Sequence, residues 1–125
     1  MEMRRIRYGA DVPVAERDRH AAAFRAKGRI EEAVLLYDGR ADHPDLTQDV
    51  AWAIEHGAAF VLLSLEKMGR NVTDEERRAC AVSAERLGRW YDAHRLYTRL
   101  ADEAALARVS EKLPGFQIAV PENKK

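Results

Sequence analysis

One stretch of this chain occurs twice, sixty residues apart, and this duplication constrains the fold more than any other feature. Residues 28–42 read GRIEEAVLLYDGRAD, and residues 88–102 read GRWYDAHRLYTRLAD. Small residues at fixed spacing on both sides of a helix-breaking Gly predict two helices packed closely about a short turn. The matched pairs are Ala21/Ala81, Gly28/Gly88, Arg29/Arg89, Ala33/Ala93, Leu36/Leu96, Tyr37/Tyr97, Ala41/Ala101 and Asp42/Asp102.

Composition favours helix along the whole chain. The 125 residues suffice for one domain or a short array of repeats, and 46% of them are apolar. Gly and Pro are few and β-branched runs are absent, so we expect a single all-α domain over residues 1–125. Twenty-one basic residues balance twenty-one acidic ones. This balance gives no reason to expect a nucleic-acid partner.

The sequence also predicts a cytoplasmic protein without a membrane partner. The charged N-terminus is not followed by the apolar segment of a signal peptide. The longest apolar run, residues 57–65, is too short to span a bilayer. The chain has one cysteine, Cys80, so it forms no intramolecular disulfide, which fits a reducing compartment. We interpret Cys80 as a small packed thiol on a helix.

Apolar spacing and stop signals predict about six helices between an extended leader, residues 1–12, and a C-terminal tail, residues 116–125. Thr73 and Glu76 have the spacing of a capping box. The long segment 46–68 is apolar on two sides, so we expect one central helix buried on two sides, with a kink at Gly57. The helices are expected at 14–27, 29–40, 46–68, 74–87, 89–100 and 103–113.

The repeated pattern resembles the tetratricopeptide repeat, which pairs antiparallel helices with small and aromatic residues about a Gly turn. The resemblance implies hairpins stacked in an α-α superhelix or compact bundle. The offset of sixty exceeds the family repeat of about 34 residues, and segment 46–68 matches no repeat. The matching residues are Ala21, Phe24, Gly28, Ala33, Tyr37 and Pro44 in the first copy, and Ala81, Ala84, Gly88, Ala93 and Tyr97 in the second.

The resemblance implies a non-catalytic module that binds a peptide or helix of another protein in a groove lined by the first helices. The positions that would face this groove are Asp18, Ala22 and Arg25 in the first copy, and Arg78, Val82 and Glu85 in the second. They lack the Lys and Asn set with which family members hold a peptide carboxylate. We interpret Arg25 and Arg78 as surface residues that do not support the core.

Two alternatives remain open. The apolar excess of segment 46–68 and the apolar tail 116–120 favour a self-associating helical bundle. The acidic connector 42–56 favours a small metal-binding or enzymatic protein, with Asp42, His43, Asp45, Asp49, Glu55 and His56 as candidate ligands. Asp residues at a helix start are also typical of capping. Because no HExxH, zinc-spaced Cys–His or GxSxG pattern occurs, we expect neither an enzyme nor a cofactor.

Overall fold

The computed structural model describes residues 13–113, and all regular secondary structure within that range is helical. The predicted all-α class is confirmed. A turn of 3-10 helix, Pro44–Leu46, leads into the third helix. The leader 1–12 and the tail 116–125 lie outside the described residues. The seven α-helices in the range are α1 (Val14–Ala26), α2 (Ile30–Leu35), α3 (Thr47–His56), α4 (Ala59–Lys67), α5 (Asp74–Arg86), α6 (Trp90–Leu100) and α7 (Glu103–Ser110).

Both copies of the duplicated stretch form a helical hairpin, α1–α2 and α5–α6. Gly28 has a φ of 76° and Gly88 a φ of 77°, so the predicted positive-φ turns are confirmed. Glycine adopts this region without the steric penalty that other residues meet. An equivalent backbone bond closes both turns, from Arg29 N to Phe24 O (2.9 Å) and from Arg89 N to Ala84 O (2.7 Å).

The duplicated small and aromatic residues form the interior of each hairpin. Alanine allows two helix backbones to approach closely, and the Leu and Tyr side chains fill the remaining space. Every matched residue of this set is at most 2% exposed: Ala21, Ala33, Leu36 and Tyr37 in the first copy, and Ala81, Ala93, Leu96 and Tyr97 in the second.

The contacts of the chain divide it into two compact units, each built on one copy of the duplicated stretch. The first unit comprises the chain up to Ala51 together with Phe60–Val72. The second comprises Trp52–Ala59 together with the chain from Thr73 onward. The first half of α3 therefore belongs to one unit and its second half to the other.

The prediction of one continuous helix over 46–68 is wrong, because the chain breaks at Gly57. Gly57 has a φ of 63°, and Ala58 N donates to Ala53 O at 2.9 Å, which ends α3. A Cβ atom at Gly57 would lie 2.5 Å from Ala84 Cα of α5. The break thus allows α3 to meet the backbone of α5 at a distance that only glycine permits. The expected burial is confirmed at Leu62 (1% exposed) and Leu65 (0%).

The two hairpins differ in the length of their second helices. The predicted helix 29–40 ends at Leu35, and turns follow as far as Gly39, which has a φ of 86°. The second copy has Arg99 at the position of Gly39, and α6 continues to Leu100. It ends at Ala101 in the left-handed region, with a φ of 55°. A residue that favours positive φ therefore stops the first helix early.

Side-chain caps fix the starts of two helices in the second unit. Thr73 Oγ1 accepts from Glu76 N at 3.1 Å, and Glu76 Oε1 accepts from Thr73 N at 3.0 Å. The predicted capping box is therefore confirmed. Asp102 Oδ1 accepts from Ala105 N at 3.1 Å and caps α7. Of the helices within residues 13–113, none has the length and hydropathy needed to cross a membrane.

Candidate functional site: the first-helix faces

The predicted groove residues lie on α1 and α5, the first helices of the two hairpins. The four charged ones do not project freely, because each forms an ion pair with a residue 22 to 24 positions further along the chain. Ala22 and Val82 are exposed. The partners could not be identified from sequence, since separations of this size follow from tertiary packing and have no local pattern.

Arg25 forms a buried ion pair in the first unit. Its Nε donates to Asp49 Oδ1 at 2.9 Å and its Nη2 to Asp49 Oδ2 at 2.6 Å. The Asp49 side chain is 1% exposed and that of Arg25 15%. The bond to Asp49 raises the pKa of Arg25, so the guanidinium stays charged. The interpretation of Arg25 as a surface residue is wrong, because a buried carboxylate depends on it.

Tyr37 lies between two guanidinium groups of the first unit. Arg25 is 5.3 Å and Arg40 4.6 Å from the ring centroid. Arg40 Nη1 also donates to Asp18 Oδ1 at 2.9 Å. The Tyr37 hydroxyl donates to Asp45 Oδ2 at 3.0 Å, and burial raises the pKa of this phenol. The ring thus joins α1 to the connector that follows α2.

Glu85 has the equivalent place in the second unit, with the opposite charge. Arg108 Nε donates to Glu85 Oε2 and Arg108 Nη2 to Glu85 Oε1, each at 2.8 Å. The Tyr97 hydroxyl donates to Glu85 Oε1 at 2.8 Å, and burial raises the pKa of Tyr97. The bonds from Arg108 lower the pKa of Glu85. This pair is more accessible, since the Glu85 side chain is 20% exposed and that of Arg108 57%.

Arg78 joins α5 to the start of α7. Its Nη1 donates to Asp102 Oδ2 at 2.9 Å while Asp102 Oδ1 caps the helix. The bond from Ala105 N, followed by the bond from Arg78, lowers the pKa of Asp102. One carboxylate therefore performs two structural tasks.

A row of exposed residues remains on each first helix, and we call these rows the outward faces. Residues spaced by four, three and four positions share one side of a helix. The positions predicted from sequence include Ala22 and Val82 but not their neighbours, because charged residues were favoured. Their helical spacing, on the side of each helix away from the buried Ala21 or Ala81, was the sequence signal that could have identified them. The outward face of α1 is Ala15, Arg19, Ala22 and Ala26, and that of α5 is Glu75, Ala79, Val82 and Arg86.

The acidic connector does not form a metal centre within residues 13–113, where no three potential ligands are grouped to hold an ion. Asp49 binds Arg25, and Asp45 accepts from Tyr37. His43 Nδ1 accepts from Asp45 N at 3.0 Å. The connector is further held by Arg70, whose Nη1 donates to the Ala41 carbonyl at 2.9 Å.

Cys80 is buried in the second unit. Its thiol donates to the Ala53 carbonyl at a sulfur–oxygen distance of 3.2 Å. Burial raises the pKa of the thiol to about 12. A protonated, enclosed thiol is a poor nucleophile, which agrees with its interpretation as a packed core residue.

Comparison with known proteins adds no relative: no family model, curated protein or solved structure matches this chain. The resemblance to tetratricopeptide repeats therefore depends on the duplicated residues and hairpins alone.

Proposed function

We propose that this chain is a non-catalytic protein–protein interaction module of tetratricopeptide-like type. It binds a peptide or helix of another protein through the outward faces of its first helices, α1 in the first unit and α5 in the second. The proposal includes a cytoplasmic location and neither a nucleic-acid nor a membrane partner. The charged residues expected to line the groove are paired within the chain, so we assign binding to the outward faces instead.

The observation that carries the proposal is the exposure of Val82. Its side chain is 53% exposed in the middle of α5, with Glu75 and Arg86 at the two ends of the same face. Burial of a valine side chain contributes up to about 1.5 kcal/mol. An apolar centre with a polar rim is the arrangement that protein interfaces use.

The ion pairs beside the outward faces support the proposal by fixing the helices before binding. Arg25 and Glu85 each hold a first helix through a two-bond fork. A surface that is already ordered loses little conformational entropy when a partner binds. These charges are already paired within the chain, so they hold the helices in place and contribute little to direct contacts with a partner.

The first test locates the partner by photo-cross-linking. A p-benzoylphenylalanine placed at position 22 or 82 should capture the same partner from an extract of the source cells. Position 91 is the matched control, because Tyr91 is 63% exposed on α6 and its replacement by an aromatic photoprobe is conservative. Capture at 91 with none at 22 and 82 would refute the placement of the surface.

The second test uses matched charge insertions. Val82→Asp should weaken binding of the captured partner at least about tenfold, because it places a charge in the apolar centre. Tyr91→Asp introduces the same charge at another exposed apolar position and should leave binding unchanged. Both variants should retain wild-type helicity by circular dichroism, since exposed substitutions usually change stability by less than about 0.5 kcal/mol. Equal affinity of Val82→Asp and wild type would contradict the proposal.

The first ground for the alternative of self-association is weaker in the structure than in the sequence. Many apolar side chains of segment 46–68 are buried within the chain itself, whereas those of Trp52, Ile54, Phe60, Leu63 and Met68 are half-buried. The second ground, the tail 116–120, lies outside the described residues. Light scattering distinguishes the two functions, because a strict monomer has no self-associating role. The buried set is Leu46, Val50, Ala53, Val61, Leu62 and Leu65.

A further inference from the structure

The ion pairs of the two repeats involve equivalent positions of the first helix, and the charges at these positions have opposite signs. We take residues 14–56, with α1, α2 and α3, as the first repeat, and residues 74–110, with α5, α6 and α7, as the second. Asp18 of α1 corresponds to Arg78 of α5, and Arg25 corresponds to Glu85, each at an offset of sixty. Each of these four residues forms an ion pair within its own repeat. The partner charges are therefore reversed between the repeats as well.

The pairs joining the first helix to the third helix share one geometry. Arg25 binds Asp49 of α3, and Glu85 binds Arg108 of α7, each through Nε and Nη2 to the two carboxylate oxygens. Such a fork needs a guanidinium on one side and a carboxylate on the other. The second repeat meets this requirement with the two groups exchanged between the helices.

Part of the apolar interior is the same in both repeats. The buried residues Ala21, Ala33, Leu36 and Tyr37 are matched by the identical buried residues Ala81, Ala93, Leu96 and Tyr97. These shared positions do not distinguish one repeat from the other. Specific pairing in such a duplicated chain requires a feature that differs between the copies.

In a crossed pairing, the first helix of one repeat would pack on the other repeat. Like charges would then meet at every one of these positions. With α1 on the second repeat, Arg25 would meet Arg108 and Asp18 would meet Asp102. With α5 on the first repeat, Glu85 would meet Asp49, and Arg78 would meet Arg40. Like charges at partly buried positions are unfavourable, since neither charge gains a partner.

We propose that these sign-reversed ion pairs select the third helix that each first helix binds through its fork, so that Arg25 of α1 pairs with α3 and Glu85 of α5 pairs with α7. The device acts during folding and in concentrated solution, where a hairpin of one chain meets the repeats of another. It is independent of the binding surface proposed above.

The test makes the two repeats alike at the two-bond fork. The double variant Glu85→Arg with Arg108→Glu gives the second repeat the signs of the first while keeping its own pair attractive. An arginine at position 85 should fit this site, because Arg25 lies over the ring of Tyr37 in the first repeat. Tyr97 is the equivalent residue in the second. Glu85→Asp with Arg108→Lys is the matched control, because it changes size and keeps both signs.

All three proteins are unfolded in urea and refolded at the same high concentration, and the oligomer fraction is measured by light scattering. Two chains can also exchange hairpins between equivalent repeats. Such exchange keeps opposite charges together, so it contributes the same oligomer fraction in all three proteins. We expect the charge-swapped variant to form at least about threefold more oligomer than wild type, the size typical of an exposed ion pair. The oligomer should persist on dilution, as exchanged hairpins separate only by unfolding.

An unchanged oligomer fraction in the charge-swapped variant would overturn the proposal. So would an equal rise in the sign-conserving control, because geometry would then be responsible. If the charge-swapped variant does not refold, Glu85→Gln with Arg108→Gln decides the question. It removes the repulsion without a new charge and should also raise the oligomer fraction, and a fraction equal to wild type would overturn the proposal.

Discussion

The Arg25–Asp49 pair of the first unit and the Glu85–Arg108 pair of the second have the same fork but differ in burial. The carboxylate of the first pair is 1% exposed, whereas the arginine of the second is 57% exposed. The geometry follows from the duplicated hairpins. The free energy that each pair contributes depends on burial, because solvent screens accessible charges and leaves a buried charge dependent on its partner. Similar contacts thus have different consequences in the two units.

The sharpest test of this comparison removes one arginine from each pair. Arg25→Ala leaves the Asp49 carboxylate buried without its partner, and we expect unfolding to become easier by about 3–5 kcal/mol. Arg108→Ala should lower stability much less, because solvent screens the charges of the accessible pair. Urea unfolding followed by circular dichroism measures both. Equal losses would show that burial does not distinguish the pairs.

Two turn glycines extend the comparison to the backbone. Gly57→Ala should reduce stability by more than about 2 kcal/mol, because it combines positive φ with a collision against Ala84. Gly28→Ala keeps the positive φ but has nothing within 4 Å of its new Cβ. Its loss should be about 1 kcal/mol. Thermal melts provide the measurement, and a Gly57→Ala variant as stable as Gly28→Ala would refute the close approach.

The accessible pair should have a definite dependence on pH. The folded-state pKa of Glu85 lies below its unfolded value, so its contribution is complete above the unfolded pKa of about 4.3 and disappears as pH falls through the folded pKa. At pH 7, Glu85→Gln should be less stable than wild type by up to about 1 kcal/mol. That difference should shrink towards pH 3 in urea titrations. A constant difference would mean that the charge of Glu85 is irrelevant.

The smallest expected effect concerns the ends of the second helices. Ala101 has a φ of 55°, and Ala41, at the equivalent position, is not among the positive-φ residues. Ala101→Gly should stabilise the protein by about 0.5 kcal/mol, because glycine removes the left-handed strain. Ala41→Gly lacks this gain and should be neutral or destabilising. A shift of melting temperature in the same direction for both variants would contradict this difference.

The sequence predicted what local chemistry determines. Gly28, Gly88 and the Thr73 capping box were found because each produces a recognisable pattern within a few residues. The break at Gly57 was expected only as a kink, since the sequence does not show that this glycine lies against the backbone of Ala84, which belongs to another helix. The ion-pair partners could not be predicted for the same reason. The early end of α2 was missed although Gly39 was visible, because the apolar spacing continues to Tyr37.

The candidate site was predicted less completely than the fold. The resemblance indicated the first helices but selected their charged residues, which form ion pairs within the chain. The outward faces consist of small residues mixed with charged ones, and such a composition does not by itself indicate a binding surface. Their positions become apparent only when the buried sides of α1 and α5 are known.

The reactivity of Cys80 can measure how often the second unit opens. The chain has one thiol, and it is enclosed, bonded to Ala53 O and protonated at neutral pH. A thiol reagent can therefore react only in molecules that have opened between α5 and the end of α3. The ratio of the observed labelling rate to that of the unfolded chain equals the opening equilibrium constant when closing is fast. Labelling rates at several urea concentrations would then separate local opening from complete unfolding without an engineered cysteine.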